Sequence, residues 1–337
     1  MASASQSLQN WGEIIRTQNL SPDAAMDGVS RWLLITRASV FPMTVLSAGI
    51  GGLLAAGHPD AHWGYCALVL LGLTAAHAAN NMINDYFDLA GGVDSQGYVR
   101  TQYAPHPVLS GLISTRGLLT AIAVANLIDL AILLYLIDVR GVHVATFALL
   151  GLFISVFYVA PPLKLKHRGL GEPGVFVVWG PLMIGGTYYV TTGQVEPWVF
   201  AASVPYALLV TAVLMGKHVD KLEADSAKRI RTLPVILGRE RALTVTRAMM
   251  IGFFVAVAVC VLADVLTPWA LLTGLAIPRL RSVLATYDAP KPDAPPAGYP
   301  LWPLWYVAWA FLLTRTAGSW FVAALLLEAV WPFPWRF

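Results

Sequence analysis

The chain has 337 residues, of which 57% are hydrophobic and 12% charged, and its mean hydropathy is +0.64. A soluble domain carries about 25% charged residues, so the composition points to a polytopic membrane protein built as one bundle. The net charge of +3 is too small to argue for nucleic acid, and there is no basic tail. The two cysteines, Cys66 and Cys260, lie in apolar runs and read as small core or lipid-facing residues rather than a disulfide or metal pair.

Residues 1–30 are polar and lack a basic start followed by a short apolar core, so no cleavable signal peptide is expected. Residues 7–17 and 22–34 read as short helices on the membrane surface. Nothing specific marks this segment as a partner-binding arm, and no protein partner is expected. Apolar runs of spanning length follow near 38–57, 63–83, 117–138, 142–160, 173–192, 197–216, 245–264, 266–284 and 303–331. Pro278, Arg279 and Arg281 interrupt the eighth, and the ninth is long enough to tilt or to break near Arg315. Pro290 to Pro303 is proline-rich and reads as a structured loop. The expected fold is all-α: about nine transmembrane helices over residues 1–337, with a polar interfacial segment at 1–34.

Lys and Arg concentrate on the cytoplasmic side of membrane proteins. With the N-terminus inside, Arg140 and Arg336 of the 22 such residues fall outside and Arg315 falls within a span, while the other 19 fall on the inside face or at its edge. Residues 84–116, 161–172 and 217–244 are then cytoplasmic. The loops Val139–Gly141 and Gly193–Pro197 are external. Chemistry is expected at a cavity facing the cytoplasm, in a cell inner membrane.

The stretch Asn80 to Asp94 carries three Asn and three Asp directly after an apolar run. At helical spacing His77, Asn81, Asp85 and Asp88 share a face, with Asn84 close beside. Carboxylates at membrane depth are costly and mark function, and oxygen-only donors suit Mg²⁺. A second acidic and basic stretch, Lys217 to Pro234, follows the sixth span on the same side. Alone it equally describes a solvated charged helix. Paired with the first, it suits Mg²⁺ ions bridging a diphosphate, with Lys and Arg neutralising the remaining charge. The third loop, Tyr158 to Glu172, offers Lys166 and Arg168 for phosphate, whereas Lys164 equally serves as a positive-inside anchor. Arg100 and the segment His106 to Ser114 close the loop after the first cluster.

Together these segments carry a resemblance. Asn84-Asp85-x-x-Asp88, Pro107-x-x-Ser110-Gly111-x-Ile113-Ser114, Tyr158-x-x-Pro161-Pro162 and Arg231-Thr232-Leu233-Pro234-Val235-Ile236-Leu237-Gly238 resemble the UbiA superfamily of intramembrane prenyltransferases. The resemblance runs from about Arg37 to Gly238. Residues 84–95, with Trp179 to Met183 and Gly186 to Tyr189, look most like the menaquinone-type branch, the dihydroxynaphthoate polyprenyltransferases. The resemblance implies a nine-helix bundle, a polyprenyl diphosphate donor, an aromatic acceptor and Mg²⁺. It implies Asn81, Asp85 and Asp88 as the first metal–diphosphate motif, with Asp220 and Asp225 supplying the second. Asn84, Tyr158, Lys166, Arg168, Lys228 and Arg231 are candidate substrate contacts. Arg37 either orients the acceptor or anchors its helix at the headgroups.

Two departures stand out. The family's second motif commonly has Asp-x-x-x-Asp, but Asp220 and Asp225 are five apart, about 140° around an ideal helix. Lys221 sits where the first Asp is expected. Either the helix breaks there, or Asp220 pairs with Glu223 at i,i+3, which makes Glu223 a candidate ligand too. Ala104-Pro105-His106-Pro107 also stands where many members have Asp-Arg-Pro, so a common phosphate-side arginine is missing and Arg100 is the candidate substitute.

The implied reaction is electrophilic alkylation through an allylic cation, which Tyr86, Phe87, Tyr158, Trp179, Tyr188 or Tyr189 can stabilise by their ring faces. His77 reads first as a buried histidine satisfied by a hydrogen bond, with a catalytic role as the alternative. One rival reading is a transporter using intramembrane carboxylates, and another is a lipid-binding subunit that has lost activity. The acceptor stays open between naphthoate-, hydroxybenzoate-, homogentisate- and chlorin-type compounds.

Overall fold

A computed structural model describes residues 3–21 and 23–334, so Arg336 lies outside the described residues. In order, the helices are α1 (Ala4–Thr17), α2 (Gly28–Ile35), α3 (Phe41–Leu54), α4 (Trp63–Ala90), α5 (Val99–Tyr103), α6 (Thr115–Arg140) and α7 (His143–Phe157). Then come α8 (Gly171–Val177), a π-helical segment (Val178–Gly185), α9 (Gly186–Thr192), α10 (Pro197–Asp220), α11 (Leu222–Ala227) and α12 (Leu233–Leu237). The last are α13 (Arg239–Leu262), α14 (Ile277–Asp288) and α15 (Tyr306–Val330). Short 3₁₀ turns lead into α3, α8 and α14. The described residues contain no strand, and the expected all-α class holds.

Six helices are long and apolar enough to cross a membrane: α4, α6, the run from α8 through α9, α10, α13 and α15. A seventh is counted if α2 and the segment Ala38–Leu54, bent by 68° at Arg37, form one broken span. The fourth expected run is the short α7, of 15 residues. The eighth divides into a 3₁₀ helix (Pro268–Ala276) and α14, where Pro278 sits in the first turn and removes no intrahelical bond. The ninth is continuous through Arg315.

α10 is the most deeply buried of the spans and α6 the least. α10 packs against α13, α15 and the π segment, and Leu209, Met215, Tyr206, Phe253 and Phe321 fill the space between them. α3 closes on the π segment so tightly that a Cβ at Gly51 would lie 2.5 Å from the Ile184 carbonyl. Such small-residue contacts let membrane helices approach closely. Pro181 interrupts the ladder of the fifth span, and the Trp179 carbonyl in that segment accepts the Ser47 hydroxyl at 2.9 Å.

The N-terminal helices are docked as well as polar. Ser3 caps α1 and Asp27 caps α2. Ile14 is fully buried, and Gln18 donates to the Leu34 carbonyl and accepts from the Ser39 hydroxyl. Asn19 donates to the Tyr103 carbonyl, and Arg315 of α15 reaches the carbonyls of Ile15 and Ser39. This segment therefore walls one end of the bundle, and it is the end where the loops after α4, α7 and α10 converge.

Candidate active site

The site is built on the C-terminal half of α4. That helix stops at Gly91 and Gly92, the latter at φ +69°, a left-handed conformation that suits glycine. The amides of Val93 and Asp94 then turn back onto the Asp88 carbonyl at 2.8 and 2.9 Å. This reversal returns Asp94 to the helix it has just left. His106, in the loop after α5, lies between the carboxylates, with Nε2 3.7 Å from Asp85 and 3.5 Å from Asp94. Donor atoms of Asp85, Asp94 and His106 all lie within 4.8 Å of one another.

Asp85 is fully buried and carries most of the local pairing. Arg37 grips it with two nitrogens, and Arg100 Nε adds a contact at 3.3 Å. Arg37 sits at the elbow between α2 and α3 at φ +56°, a strained conformation for a side-chain-bearing residue. The elbow turns the guanidinium onto the buried Asp85 carboxylate. Arg100 also donates to the carbonyls of Ala104 and Pro105, which braces the loop where the family's usual arginine is missing. Asp88 is held by Lys166 Nζ at 2.7 and 2.8 Å. Asn81 donates to the Thr36 carbonyl at 3.0 Å, tying α4 to the same elbow. His77 is satisfied by Thr44 at 2.6 Å and sits edge-on to Trp179, which favours the structural reading.

The second stretch divides. α10 ends at Asp220 and α11 begins at Leu222, so the helix breaks at Lys221 and the first of the two alternatives holds. Asp220 accepts the backbone amides of Trp305, Tyr306 and Val307 at 2.9–3.1 Å, the orphan donors at the start of α15. Its carboxylate is thereby spent on capping that helix. Glu223, with its side chain 70% exposed, pairs with Arg239. Only Asp225 turns toward the first cluster. It accepts the Tyr98 hydroxyl at 2.5 Å and lies 3.4 Å from Lys221 Nζ. The Tyr98 ring lies against both Lys221 (4.8 Å) and Lys228 (4.4 Å).

The remaining expected contacts lie further out. Lys228 bonds the carbonyls of Gly92 and Val93, and so fastens the loop after α4. Arg168 donates to the Pro162 carbonyl, and its backbone bridges to Arg231; both side chains are exposed. Sequence reasoning singled out Arg37, Asp85, Asp88 and Lys166, which come together. It did not assign roles to Asp94, Tyr98, His106, Lys217 or Lys221. The i,i+4 spacing of Lys217, Lys221 and Asp225 was the available signal for the last two.

The charges shape the ionisation of groups at this end. Burial pushes the Asp94 carboxyl up, but His106, Arg37, Arg100 and Lys221 outweigh it and hold Asp94 below its ordinary value. Burial likewise disfavours charge on Lys221, yet Asp225 and Tyr98 beside it keep the ammonium charged.

Beside this cluster lies a cavity of about 760 Å³. Asn80, Asn84, Tyr103, Tyr158 and Lys217 line its polar end. Most of the remaining wall is apolar, with Leu73, Leu136, Phe147, Trp179, Met183 and Val213 among its residues, while Arg37, His77, Asp129 and Arg315 also line it. A Mg²⁺ ion fits the first cluster by donor chemistry. The buried Oδ1 of Asn84 and Oδ2 of Asp94 have no hydrogen-bond partner, and hard oxygens are what this cation takes. The second stretch does not fit one, because Asp220 and Glu223 are engaged elsewhere.

Residues 44–299 match the family model described as the UbiA prenyltransferase family. The chain is 28% identical over 287 residues to 2-carboxy-1,4-naphthoquinone phytyltransferase of Synechocystis, covering 81% of this chain and 88% of that one. It is 22% identical over 208 residues to 1,4-dihydroxy-2-naphthoate octaprenyltransferase of Bacillus subtilis, covering 60% of this chain and 64% of that protein, so it spans less than two thirds of this relative's length. Among solved structures, a UbiA homolog from Aeropyrum pernix K1 superposes with a TM-score of 0.64 at 18% identity, covering 86% of this chain and 98% of that one. A UbiA homolog from Archaeoglobus fulgidus bound to GPP and Mg²⁺ gives 0.57 at 16% identity, covering 88% and 99%. These two share the fold. With the family model matched over more than half of its length, the chain belongs to the UbiA prenyltransferase family.

Proposed function

We propose that the protein transfers a polyprenyl group from a polyprenyl diphosphate to an aromatic acceptor within the membrane, in a Mg²⁺-dependent reaction. The observation that carries this reading is the pairing of a largely apolar-walled cavity with a buried cluster of carboxylates, amides and cations beside it. The diphosphate belongs at the charged end and the prenyl chain among the apolar walls. The names of the Synechocystis and Bacillus relatives favour a naphthoate-type acceptor and a role in quinone biosynthesis. The whole chain acts as one domain of about nine spans in the inner membrane, with the N-terminus and the site cytoplasmic. The sidedness rests on the distribution of Lys and Arg.

Asp85, Asp88 and Asp94, with Asn84, are the residues that would hold the metal. When bound, Mg²⁺ neutralises the diphosphate and makes it a better leaving group. Arg37 and Arg100 hold Asp85 in place, and Lys166 does the same for Asp88. As the C–O bond ionises, Tyr158 and Trp179 present ring faces to the allylic cation. The apolar walls keep water from quenching that cation. The acceptor ring carbon then attacks, and a proton or carboxyl group leaves it.

The test is a labelled prenyl diphosphate offered with a panel of aromatic acids, with product masses measured. A prenylated naphthoate product that has lost CO₂ supports the reading. Uptake of solutes into proteoliposomes with no prenyl transfer would replace it with the transporter reading.

A further inference from the structure

We infer that the second acidic stretch holds no divalent cation, and that Lys221 and Lys217 supply the positive charge on that side of the substrate diphosphate. The inference rests on the reading of the cavity as a prenyl diphosphate site. Residues 217–234 contain three carboxylates. Asp220 accepts three backbone amides at 2.9–3.1 Å, and Glu223 pairs with Arg239 at the surface. Asp225 alone remains, and a single carboxylate is a poor cage for a hard cation. Lys221 Nζ lies 3.4 Å from it, and it accepts the Tyr98 hydroxyl at 2.5 Å.

Lys221 and Asp225 stand four residues apart and face each other. Where two carboxylates would clasp a cation, this chain has a carboxylate and a built-in ammonium. The ammonium is fixed: its side chain is 8% exposed, and the Tyr98 ring lies 4.8 Å from Nζ. Lys217 lies one turn earlier and lines the polar end of the cavity with Asn84 and Tyr158. The charges acting on it are those of Arg37, Lys221, Arg100 and Lys166, all positive, and no carboxylate pairs with it among the described residues. A half-buried amine crowded by cations is costly to charge alone. An entering diphosphate relieves that cost, and charge-assisted bonds to its oxygens are strong. The contrast with the first cluster is direct, since unused oxygens of Asn84 and Asp94 remain there to receive a metal.

The test counts metal without turnover. The purified full chain in lipid nanodiscs is titrated with Mn²⁺ and geranyl diphosphate, with no acceptor present, and bound Mn²⁺ is read by electron paramagnetic resonance. One Mn²⁺ per chain is expected at saturation, whereas two would overturn the inference and leave the prenyl diphosphate reading standing. Failure to bind geranyl diphosphate at all would overturn that reading, and the inference with it. Lys221→Gln and Lys217→Gln are each expected to weaken geranyl diphosphate binding about tenfold with the Mn²⁺ count unchanged. Unchanged affinity in both would overturn the inference. If a variant fails to fold, the wild-type count decides.

Discussion

Arg37 and Asp85 form a buried two-pronged ion pair that joins the elbow between α2 and α3 to the functional half of α4. The pair connects a strained backbone conformation to the carboxylate around which the site is arranged. Arg100 and His106 approach the same carboxylate from the loop that follows. Removing either partner leaves a charge buried without compensation, which costs about 3–5 kcal/mol in comparable settings. Asp85→Asn is therefore expected to lower thermal stability and to reduce prenyl transfer at least about 100-fold. Thermal unfolding and a transfer assay on the same preparation check it. Normal turnover would remove Asp85 from the site.

Asp88 and Lys166 form the neighbouring pair, with side chains 13% and 7% exposed. Lys166→Met alone leaves Asp88 unpaired, and Asp88→Asn alone leaves Lys166 unpaired. A double-mutant cycle on stability is expected to give a coupling of about 1–3 kcal/mol. Additive losses would show that the pair does not act as a unit.

Asp220 and Asp225 are expected to separate in function. Asp220→Ala removes the cap from α15 and should cost about 1–2 kcal/mol of stability, while the folded fraction keeps transfer within about twofold of wild type. Asp225→Asn should lose most activity, because it releases Lys221 and Tyr98 together. Equal loss of specific activity in both would return Asp220 to the site.

Much of this arrangement is legible in the sequence. The apolar runs mark the long helices, because membrane burial leaves a strong compositional signal. The spacing of Asn81, Asp85 and Asp88 reads directly as one helical face. The distribution of Lys and Arg placed the loops after α4, α7 and α10 at one end, where the Asp88–Lys166 and Tyr98–Asp225 contacts bring them together. Other features depend on contacts made far along the chain. Nothing near Asp220 shows that its partners are amides 85–87 residues later. The return of Asp94 to Asp85 depends on a glycine turn, and Arg37 reaches Asp85 only through the left-handed elbow. The irregular Asp220–Asp225 spacing did signal a break, which falls at Lys221.

His167, beside Lys166, provides a pH test. Burial, and then the charge of Lys166, lower its pKa from 6.5 to about 4. The folded state binds fewer protons than the unfolded state between these values, so stability falls as the pH drops from 6.5 toward about 4. His167→Gln is expected to flatten that part of the stability profile. An unchanged profile would show that His167 is not buried as a neutral ring.

The most direct measurement is transfer of a labelled prenyl group to a dihydroxynaphthoate-type acceptor, followed in Mg²⁺, then in EDTA, then with Mg²⁺ restored. The account predicts product in the first, none in the second and recovery in the third. Transfer indifferent to chelation, or no prenylated product under any condition, would contradict it.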